Sequence, residues 1–206
     1  MKVLLVNGSP NAHGCTFTAL SEVASELEKQ GIGTQIFQLG KDPIAGCRAC
    51  RACRKLGRCV VDDKVNEALA LVPEFDGFVF GSPVYYASAA GQLSCFLDRL
   101  FFAGTPLFAN KPGAGVVSCR RGGAATAFDE LNKYFTISNM PIVSSNYWNQ
   151  VHGSCAEEVA QDLEGLQTMR QLGRNMAWLL KCIEAGKAAG IAMPEAETRI
   201  WTNFVR

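Results

Sequence analysis

Neither sign of charge predominates in this 206-residue sequence, which has 20 Lys and Arg residues against 19 Asp and Glu residues. A net charge of +1 provides no basic face for nucleic acid and no acidic tail, so nucleic acid is not expected as a partner. The hydrophobic runs are no longer than a strand, which predicts that the chain does not enter a membrane. The first residues lack the shape of a signal peptide, and we therefore expect a cytoplasmic protein.

A framework of paired disulfides is also missing. The cysteine count is nine, an odd number, and four of the cysteines crowd into the thirteen residues from Cys47 to Cys59. Small secreted domains pair an even number of cysteines across the whole chain. In a reducing compartment, crowding of this kind indicates metal or redox chemistry.

Apolar strands alternate with helical segments along the chain. We predict strands near residues 3–6, 34–39, 77–81, 113–118 and 141–143, each followed by a helix. This alternation predicts an α/β fold with a doubly wound parallel sheet covered by helices on both faces. No linker interrupts the pattern, so we expect a single domain over residues 1–206. It includes a cysteine-rich loop at about 40–61 and a C-terminal helical region from about 156, with a break at Gly165 or Gly173.

A small, hydroxyl-rich turn from Gly8 to Thr16 joins the first strand to the first helix. This geometry directs backbone N–H groups and the positive helix end at an anion, most naturally a phosphate. The turn has no lysine where a triphosphate loop needs one, and the dinucleotide motif G-x-G-x-x-G is absent. It therefore suits the single phosphate of flavin mononucleotide (FMN), while a turn that binds nothing is the alternative. The candidate phosphate-binding residues are Ser9, Asn11, Gly14, Cys15 and Thr16.

Four segments resemble the flavodoxin-like FMN reductases, particularly their iron–sulfur flavoprotein branch, and the quinone reductases of the tryptophan-repressor-binding-protein type. The resemblance implies a three-layer flavodoxin-like fold with five parallel strands in the order 2-1-3-4-5. It also implies FMN as cofactor and NAD(P)H as co-substrate. The segments are Gly8-Ser9-Pro10 with Gly14-Cys15-Thr16, Ser82-Pro83-Val84-Tyr85-Tyr86, Gly91-Gln92-Leu93 with Phe96-Leu97-Asp98-Arg99, and the cysteine loop before Asp62-Asp63.

The isoalloxazine ring of a flavin needs an apolar wall and backbone donors, and the loops after the third and fourth strands provide both. In a parallel sheet, these loops meet at the carboxyl edge, where ligands bind. The alternatives are tyrosines that only cap the core and arginines that lie on a solvated loop. The candidate residues for the ring are Pro83, Val84, Tyr85, Tyr86, Ser118, Arg120, Gly122 and Gly123.

The four crowded cysteines, Cys47, Cys50, Cys53 and Cys59, form the pattern C-x2-C-x2-C-x5-C. The first three have the close spacing of ferredoxin runs, whereas a structural zinc site more often has two separated C-x-x-C pairs. The resemblance implies a [4Fe–4S] cluster that passes electrons to FMN. Free thiols in a flexible loop are the alternative. Basic residues interleave with the cysteines and would offset the negative charge of a cluster.

Two functional hypotheses follow, and both use the flavin rather than a side chain for the redox step. In the first, the protein takes a hydride from NAD(P)H and reduces a quinone, a flavin or another small acceptor. In the alternative, it is an iron–sulfur flavoprotein that relays electrons between protein partners. A third hypothesis is a non-catalytic binding module. Among the side chains, His152 is a weak candidate for a proton donor. The later aromatic loops and the resemblance lead us to expect a homodimer or a homotetramer.

Overall fold

The computed structural model describes residues 1–195, 197–198, 200–202 and 204, and the other residues of the predicted domain lie outside the described residues. A sheet of parallel strands forms its centre. Its strand order is β2-β1-β3-β5-β6, and the short β4 pairs antiparallel with the end of β3. The predicted order of five parallel strands is therefore confirmed. The strands are β1 (Lys2–Asn7), β2 (Gly33–Gln38), β3 (Gly77–Tyr85), β4 (Ser88–Ala89), β5 (Gly113–Cys119) and β6 (Gln150–His152).

Helices cover both faces of the sheet. Helices α1 and α7 pack on one face, and α3, α4 and α5 pack on the other. None of the helices in the described part of the chain is both long and apolar enough to cross a membrane. The helices are α1 (Cys15–Lys29), α2 (Cys53–Leu56), α3 (Lys64–Leu71), α4 (Gly91–Phe108), α5 (Ala124–Ile137), α6 (Ala156–Val159) and α7 (Leu163–Ala188), with a 3-10 turn at Val72–Glu74.

The unbroken apolar run of β1 follows from this two-sided cover. Val3 and Leu5 pack under α1 and α7, whereas Leu4 and Val6 pack under the opposite helices, and all four are buried. A strand that is buried on both faces is therefore apolar along most of its length. The prediction of a doubly wound sheet from these runs is confirmed.

The last strand was predicted at the wrong place. Residues 141–143 make a single parallel bridge, between Ile142 and Gly113, and the strand itself is β6, in the segment predicted to be a loop. The register on β5 explains the difference, because Gly113 pairs with Ile142 whereas Val117 pairs with Gln150. An advance of four residues along β5 thus corresponds to an advance of eight along the edge segment, so the intervening chain bulges away and rejoins the sheet later.

Helix α7 runs without a break through Gly165 and Gly173, so neither of the predicted interruptions occurs. At Gly173 the helix approaches α1 so closely that a Cβ atom would lie 3.0 Å from the carbonyl oxygen of Val23 and 2.9 Å from the Cβ of Glu26. Two ion pairs, Arg170–Glu22 at 2.6 Å and Arg174–Glu26 at 3.2 Å, join the same helices. Gly173 is therefore a contact point between helices rather than a helix breaker.

We predict that Gly173→Ala lowers the free energy of unfolding by about 1 kcal/mol or more, because the new methyl group meets backbone that cannot retreat. In a helix without such a contact, the same change stabilises by about 0.5–1 kcal/mol. Gly186→Ala in α7 is the matched control, since its Cβ would meet ordinary contacts at 3.7 Å. Urea denaturation measures both variants, and equal gains at the two positions would contradict this account.

Candidate functional site

A cavity of about 270 Å³ opens at the carboxyl edge of the sheet. Its walls come from the ends of β3 and β5 and the loops that follow β1, β5 and β6, together with the first turn of α1. Ligands of open parallel sheets bind at this edge. We call it the edge cavity.

Nine of the thirteen residues predicted to contact a flavin line the edge cavity. Gly14 lies outside the lining as the N-cap of α1, and Tyr86, Gly122 and Gly123 also lie outside it. The structure thus brings three separate predicted segments to one place. The nine lining residues are Ser9, Asn11, Cys15, Thr16, Pro83, Val84, Tyr85, Ser118 and Arg120.

Local hydrogen bonds hold the loop after β1 in its shape. The backbone N–H of Ser9 donates to the Asn7 carboxamide oxygen at 3.1 Å, and the N–H of Asn11 donates to Ser9 Oγ at 3.1 Å. The Gln38 side chain donates to the carbonyl oxygen of Ser9 at 2.7 Å. Gly8 lies so close to β3 that a Cβ atom would be 2.7 Å from the carbonyl oxygen of Gly81. The loop is therefore ordered by its own side chains and by this contact.

The backbone N–H groups at the start of α1 are available to a ligand. Its N-cap, Gly14, has no side chain to satisfy the first helical N–H groups, and the first turn has no acidic residue. Those N–H groups have no partner within the helix and attract an anion. The hydroxyls of Thr16 and Ser118 meet at 2.8 Å, which joins the first turn of α1 to the end of β5. This end of the cavity suits a phosphate bound without a lysine.

The opposite wall is a β-hairpin. Strands β3 and β4 are joined by Tyr86 and Ala87, whose φ angles are 50° and 59°, in the left-handed region that tight hairpin turns require. Ser82 stabilises the hairpin, because its hydroxyl accepts a hydrogen bond from the N–H of Ala90 at 2.9 Å. Tyr85 is about half exposed and faces the cavity, whereas Tyr86 projects fully into solvent. The hairpin presents an apolar and aromatic edge to a planar ligand.

The sequence analysis missed three lining residues, Cys119, Gly153 and Ser154. Gly153 and Ser154 follow β6, so the misplaced last strand concealed their position. The thiol of Cys15 donates to the carbonyl oxygen of Gly153 at 3.5 Å and so ties this last loop to α1. A correct placement of β6 would have brought both residues to the carboxyl edge.

Both cysteines of the edge cavity have raised pKa values. Burial raises the pKa of the Cys15 thiol, and the nearby Cys155, Glu158 and Glu157 raise it further. Burial also raises the pKa of Cys119. Both side chains are therefore neutral thiols at physiological pH, and neither adds a negative charge beside a phosphate.

His152 lies outside the edge cavity. It lines a neighbouring cavity of about 170 Å³ with Asp162 at the start of α7. Its Nδ1 atom is 3.6 Å from an Asp162 carboxylate oxygen, and its backbone N–H donates to the same oxygen at 2.6 Å. The structure therefore turns His152 towards α7, and its role as a proton donor stays a prediction.

The four crowded cysteines surround a second, smaller cavity of about 20 Å³, which we call the cysteine cavity. Cys47 and Cys50 are exposed, whereas Cys53, in α2, and Cys59 are half-buried. Ala49 and Arg51, on either side of Cys50, have φ angles of 52° and 58°, in the left-handed region. The backbone therefore alternates in handedness around Cys50. Such alternation turns successive N–H groups towards one side, as in the concave anion sites of many iron–sulfur proteins.

A buried arginine forms the floor of the cysteine cavity. Arg99 extends from α4, and its Nε donates to the Sγ of Cys59 at 3.3 Å. Burial alone would lower the pKa of the guanidinium, but hydrogen bonds to Asp63 and Cys59 raise it above the ordinary value. The sequence analysis noted Arg99 only as part of a family segment. No periodicity signal separates a buried arginine from an exposed one on an amphipathic helix.

The four thiols do not form a ready-made site for a single metal ion. Within the described residues, no three Cys, His, Asp or Glu side chains converge on one ion. In a cubane cluster each thiolate binds a different iron, so the four sulfur atoms stand farther apart than the ligands of one ion. A cavity of about 20 Å³ has room for about one water molecule, so the cysteine loop would have to open to admit a cluster. Four thiols around one cavity, with a buried cation beneath them, fit a group of negative charge.

One protein-family model matches most of the chain. The model for NADPH-dependent FMN reductases matches residues 1–154. The chain belongs to this family. Membership identifies FMN as the cofactor and NADPH as the reductant of the family, in agreement with the cofactors predicted from the sequence.

Named relatives of this FMN reductase family member are iron–sulfur flavoproteins. The chain is 31% identical over 196 residues to one from Methanocaldococcus jannaschii, which covers 89% of this chain and 100% of the relative. It is 29% identical over 193 residues to one from Methanosarcina thermophila, with 91% and 99% covered. A solved archaeal flavodoxin shares the fold at a TM-score of 0.60 and 16% identity, over 88% of this chain and 99% of that one.

We predict that the thiols of the edge cavity react slowly with iodoacetamide. In FMN-free protein at pH 8, Cys15 and Cys119 should be modified about tenfold more slowly than the exposed Cys182, because a raised pKa leaves less thiolate at that pH. Their rates should still rise between pH 8 and pH 10. Peptide mass spectrometry measures each site, and equal rates for all three cysteines would contradict the environment described.

Proposed function

We propose that this FMN reductase family member is an iron–sulfur flavoprotein, with FMN in the edge cavity and a [4Fe–4S] cluster in the cysteine cavity. One observation carries the proposal: α4 begins just after the hairpin of the edge cavity and lines the cysteine cavity. The hairpin of the edge cavity leads directly into the first residue of α4, and Arg99, the floor of the cysteine cavity, follows eight residues later. At 1.5 Å per residue, that separation is about 12 Å along the helix.

The residues of the edge cavity would bind and orient FMN. The N–H groups at the start of α1, with Ser9, Asn11 and Thr16, would hold the phosphate. Pro83, Val84 and Tyr85 would support one edge of the ring. When bound, the flavin supplies both one-electron and two-electron chemistry, and the protein supplies its position and electrostatics.

The cysteine cavity would contribute ligands and charge. Cys47, Cys50, Cys53 and Cys59 would hold the cluster, whose chemistry is one-electron transfer. Arg99 would offset negative charge from beneath. Basic side chains that are all exposed would do so from the outer surface: Arg48, Arg51, Arg54, Lys55 and Arg58. This arrangement supports a relay of electrons between the flavin and a partner.

The family model favours a second candidate, a reductase that takes a hydride from NADPH and passes electrons to a quinone, a flavin or another small acceptor. The edge cavity is open to solvent beside the exposed Tyr85 and Tyr86, so a nicotinamide ring would have access to the flavin. Donor and acceptor would then use this face in turn.

Stopped-flow spectroscopy under anaerobic conditions separates the two candidates. If the protein is a reductase, NADPH or NADH bleaches the flavin band within a catalytic turnover. If it is a one-electron relay, the nicotinamide cofactors bleach it slowly, whereas a reduced iron–sulfur protein bleaches it quickly. A purified protein without a flavin spectrum would contradict both candidates.

We predict that Cys50→Ser abolishes cluster retention without loss of FMN, because the flavin cavity is built from other loops. Iron and sulfide are assayed in protein purified anaerobically, together with the flavin absorbance. Cys182→Ser, on the exposed surface of α7, is the control and should leave both contents unchanged. Less than about one iron per wild-type chain would contradict the cluster assignment.

Thr16→Ala should weaken FMN binding about tenfold, since a hydrogen bond to a charged phosphate is worth about 1.5–3 kcal/mol. Thr18→Ala is the matched control, because Thr18 lies one half-turn further along α1 and its hydroxyl donates to the carbonyl oxygen of Gly14. Quenching of flavin fluorescence gives both dissociation constants. Equal losses for the two variants would place the phosphate elsewhere.

Self-association is part of the proposed function. Large aromatic side chains are exposed in the single chain, among them Tyr86, Tyr147 and Trp148. Burial of such side chains favours association of copies. We propose a homodimer or a homotetramer, which light scattering after gel filtration measures directly.

A further inference from the structure

Arg99 is buried, and a lone charge in a buried position is costly. Its side chain is only 1% exposed, and it projects from α4, whose neighbouring residues belong to the core. A buried charge is stable only when it is paired and all its hydrogen-bonding groups are satisfied. The partners of Arg99 therefore indicate what this part of the chain is built to hold.

The guanidinium has five N–H groups, and the structure provides five acceptors. Nε donates to Cys59 Sγ at 3.3 Å. Nη1 donates to the carbonyl oxygen of Ala45 at 3.2 Å and to Asp63 Oδ2 at 2.6 Å. Nη2 donates to the carbonyl oxygen of Val61 at 2.9 Å and to Asp63 Oδ1 at 2.9 Å. No donor of this side chain is left over.

These acceptors bracket the cysteine loop. Ala45 lies two residues before the first cysteine, and Val61 lies two residues after the last one. Asp63 is the N-cap of α3 and accepts a further hydrogen bond from the N–H of Val65 at 3.0 Å. One side chain on α4 thus holds both ends of the loop, one of its thiols and the start of the next helix.

Cys59 is held by hydrogen bonds at its N–H group, its carbonyl oxygen and its sulfur, unlike the exposed Cys47 and Cys50. Its N–H donates to the Asn66 carboxamide oxygen at 2.9 Å, and the Asn66 Nδ2 donates to its carbonyl oxygen at 3.0 Å. Arg99 holds its sulfur. Cys47 and Cys50 are exposed, so the loop combines a fixed side with an adaptable side.

A lysine at position 99 would not reproduce this arrangement. Its ammonium group has three donors on one nitrogen, and it lacks the planar fork that grips a carboxylate with two parallel bonds. At least two of the five acceptors would lose their donor in a buried site. The carbonyl oxygens at the two ends of the loop and the sulfur of Cys59 could not all be reached from one point.

We propose that Arg99 is the positioning residue of the cysteine loop, holding Ala45, Cys59 and Val61 in place so that the four thiols surround one cavity before any cluster is present. The inference rests on the proposed function only for the identity of the group that the cavity receives. It goes beyond that function because it assigns the order of the cluster-free loop to a residue that is not a ligand.

The test compares Arg99→Lys and Asp63→Asn with wild type in the full-length, FMN-bound, cluster-free protein. Asn retains the N-cap of α3 while it removes the charge that faces Arg99. Arg170→Lys is the control, since Arg170 pairs with Glu22 on the opposite face of the sheet. Brief trypsin treatment reports the loop directly, because Arg48, Arg51, Arg54, Lys55 and Arg58 are exposed cleavage sites within it.

We expect both test variants to keep FMN, which shows that they fold, and to be cleaved within residues 48–58 about tenfold faster than wild type, since local opening sets the cleavage rate. The control should be cleaved at the wild-type rate. Equal rates in wild type and both test variants would overturn the proposal. If one of the two test variants loses FMN, the cleavage rate of the other test variant decides the outcome.

A second readout separates positioning from general stability. After reconstitution with ferrous iron and sulfide, the electron paramagnetic resonance spectrum of the reduced cluster should change in Arg99→Lys, because a hydrogen bond to a ligand sulfur tunes the cluster. It should not change in Arg170→Lys. If wild type binds no cluster, the cluster assignment fails while the cleavage result still decides the role of Arg99. An unchanged spectrum together with unchanged cleavage would leave Arg99 a core residue only.

Discussion

The close approach of Gly8 to Gly81 is the contact on which the edge cavity depends. A Cβ atom on Gly8 would lie 2.7 Å from the Gly81 carbonyl oxygen, and one on Gly81 would lie 2.8 Å from side-chain carbons of Thr16 and Leu20. The loop after β1, the first turn of α1 and the end of β3 meet only because both positions lack a side chain. The start of α1 and the end of β3 thereby border one cavity.

Helix α4 links this region to the cysteine loop. It begins at the end of the hairpin and carries Arg99 about two turns later, where a buried ion pair with Asp63 joins it to α3. The energetic reason is the cost of an unpaired buried charge, which makes the five acceptors of Arg99 interdependent. The order of the cysteine loop thus depends on a helix of the core, because the loop itself has little regular structure.

The relatives and the cavities supply separate support for the proposed functions. The family model identifies FMN and NADPH, and relatives over nearly the whole chain are named iron–sulfur flavoproteins. The structure adds that the cysteines face one cavity with a buried cation beneath it. The two proposed functions share the edge cavity and differ in the route by which electrons enter and leave the flavin.

The sequence by itself determined the doubly wound parallel sheet and most of the lining of the edge cavity, whereas the strand order followed from the resemblance to the flavodoxin-like FMN reductases. Continuous apolar runs such as Val3–Val6 occur in strands buried on both faces, and the loops after such strands converge at one edge. Only the tertiary structure decided where the last strand lies, how His152 turns and which partners Arg99 takes. Those outcomes depend on register against β5 and on contacts between residues 36 to 54 positions apart. Local patterns do not encode such contacts, because many pairings satisfy the same periodicity.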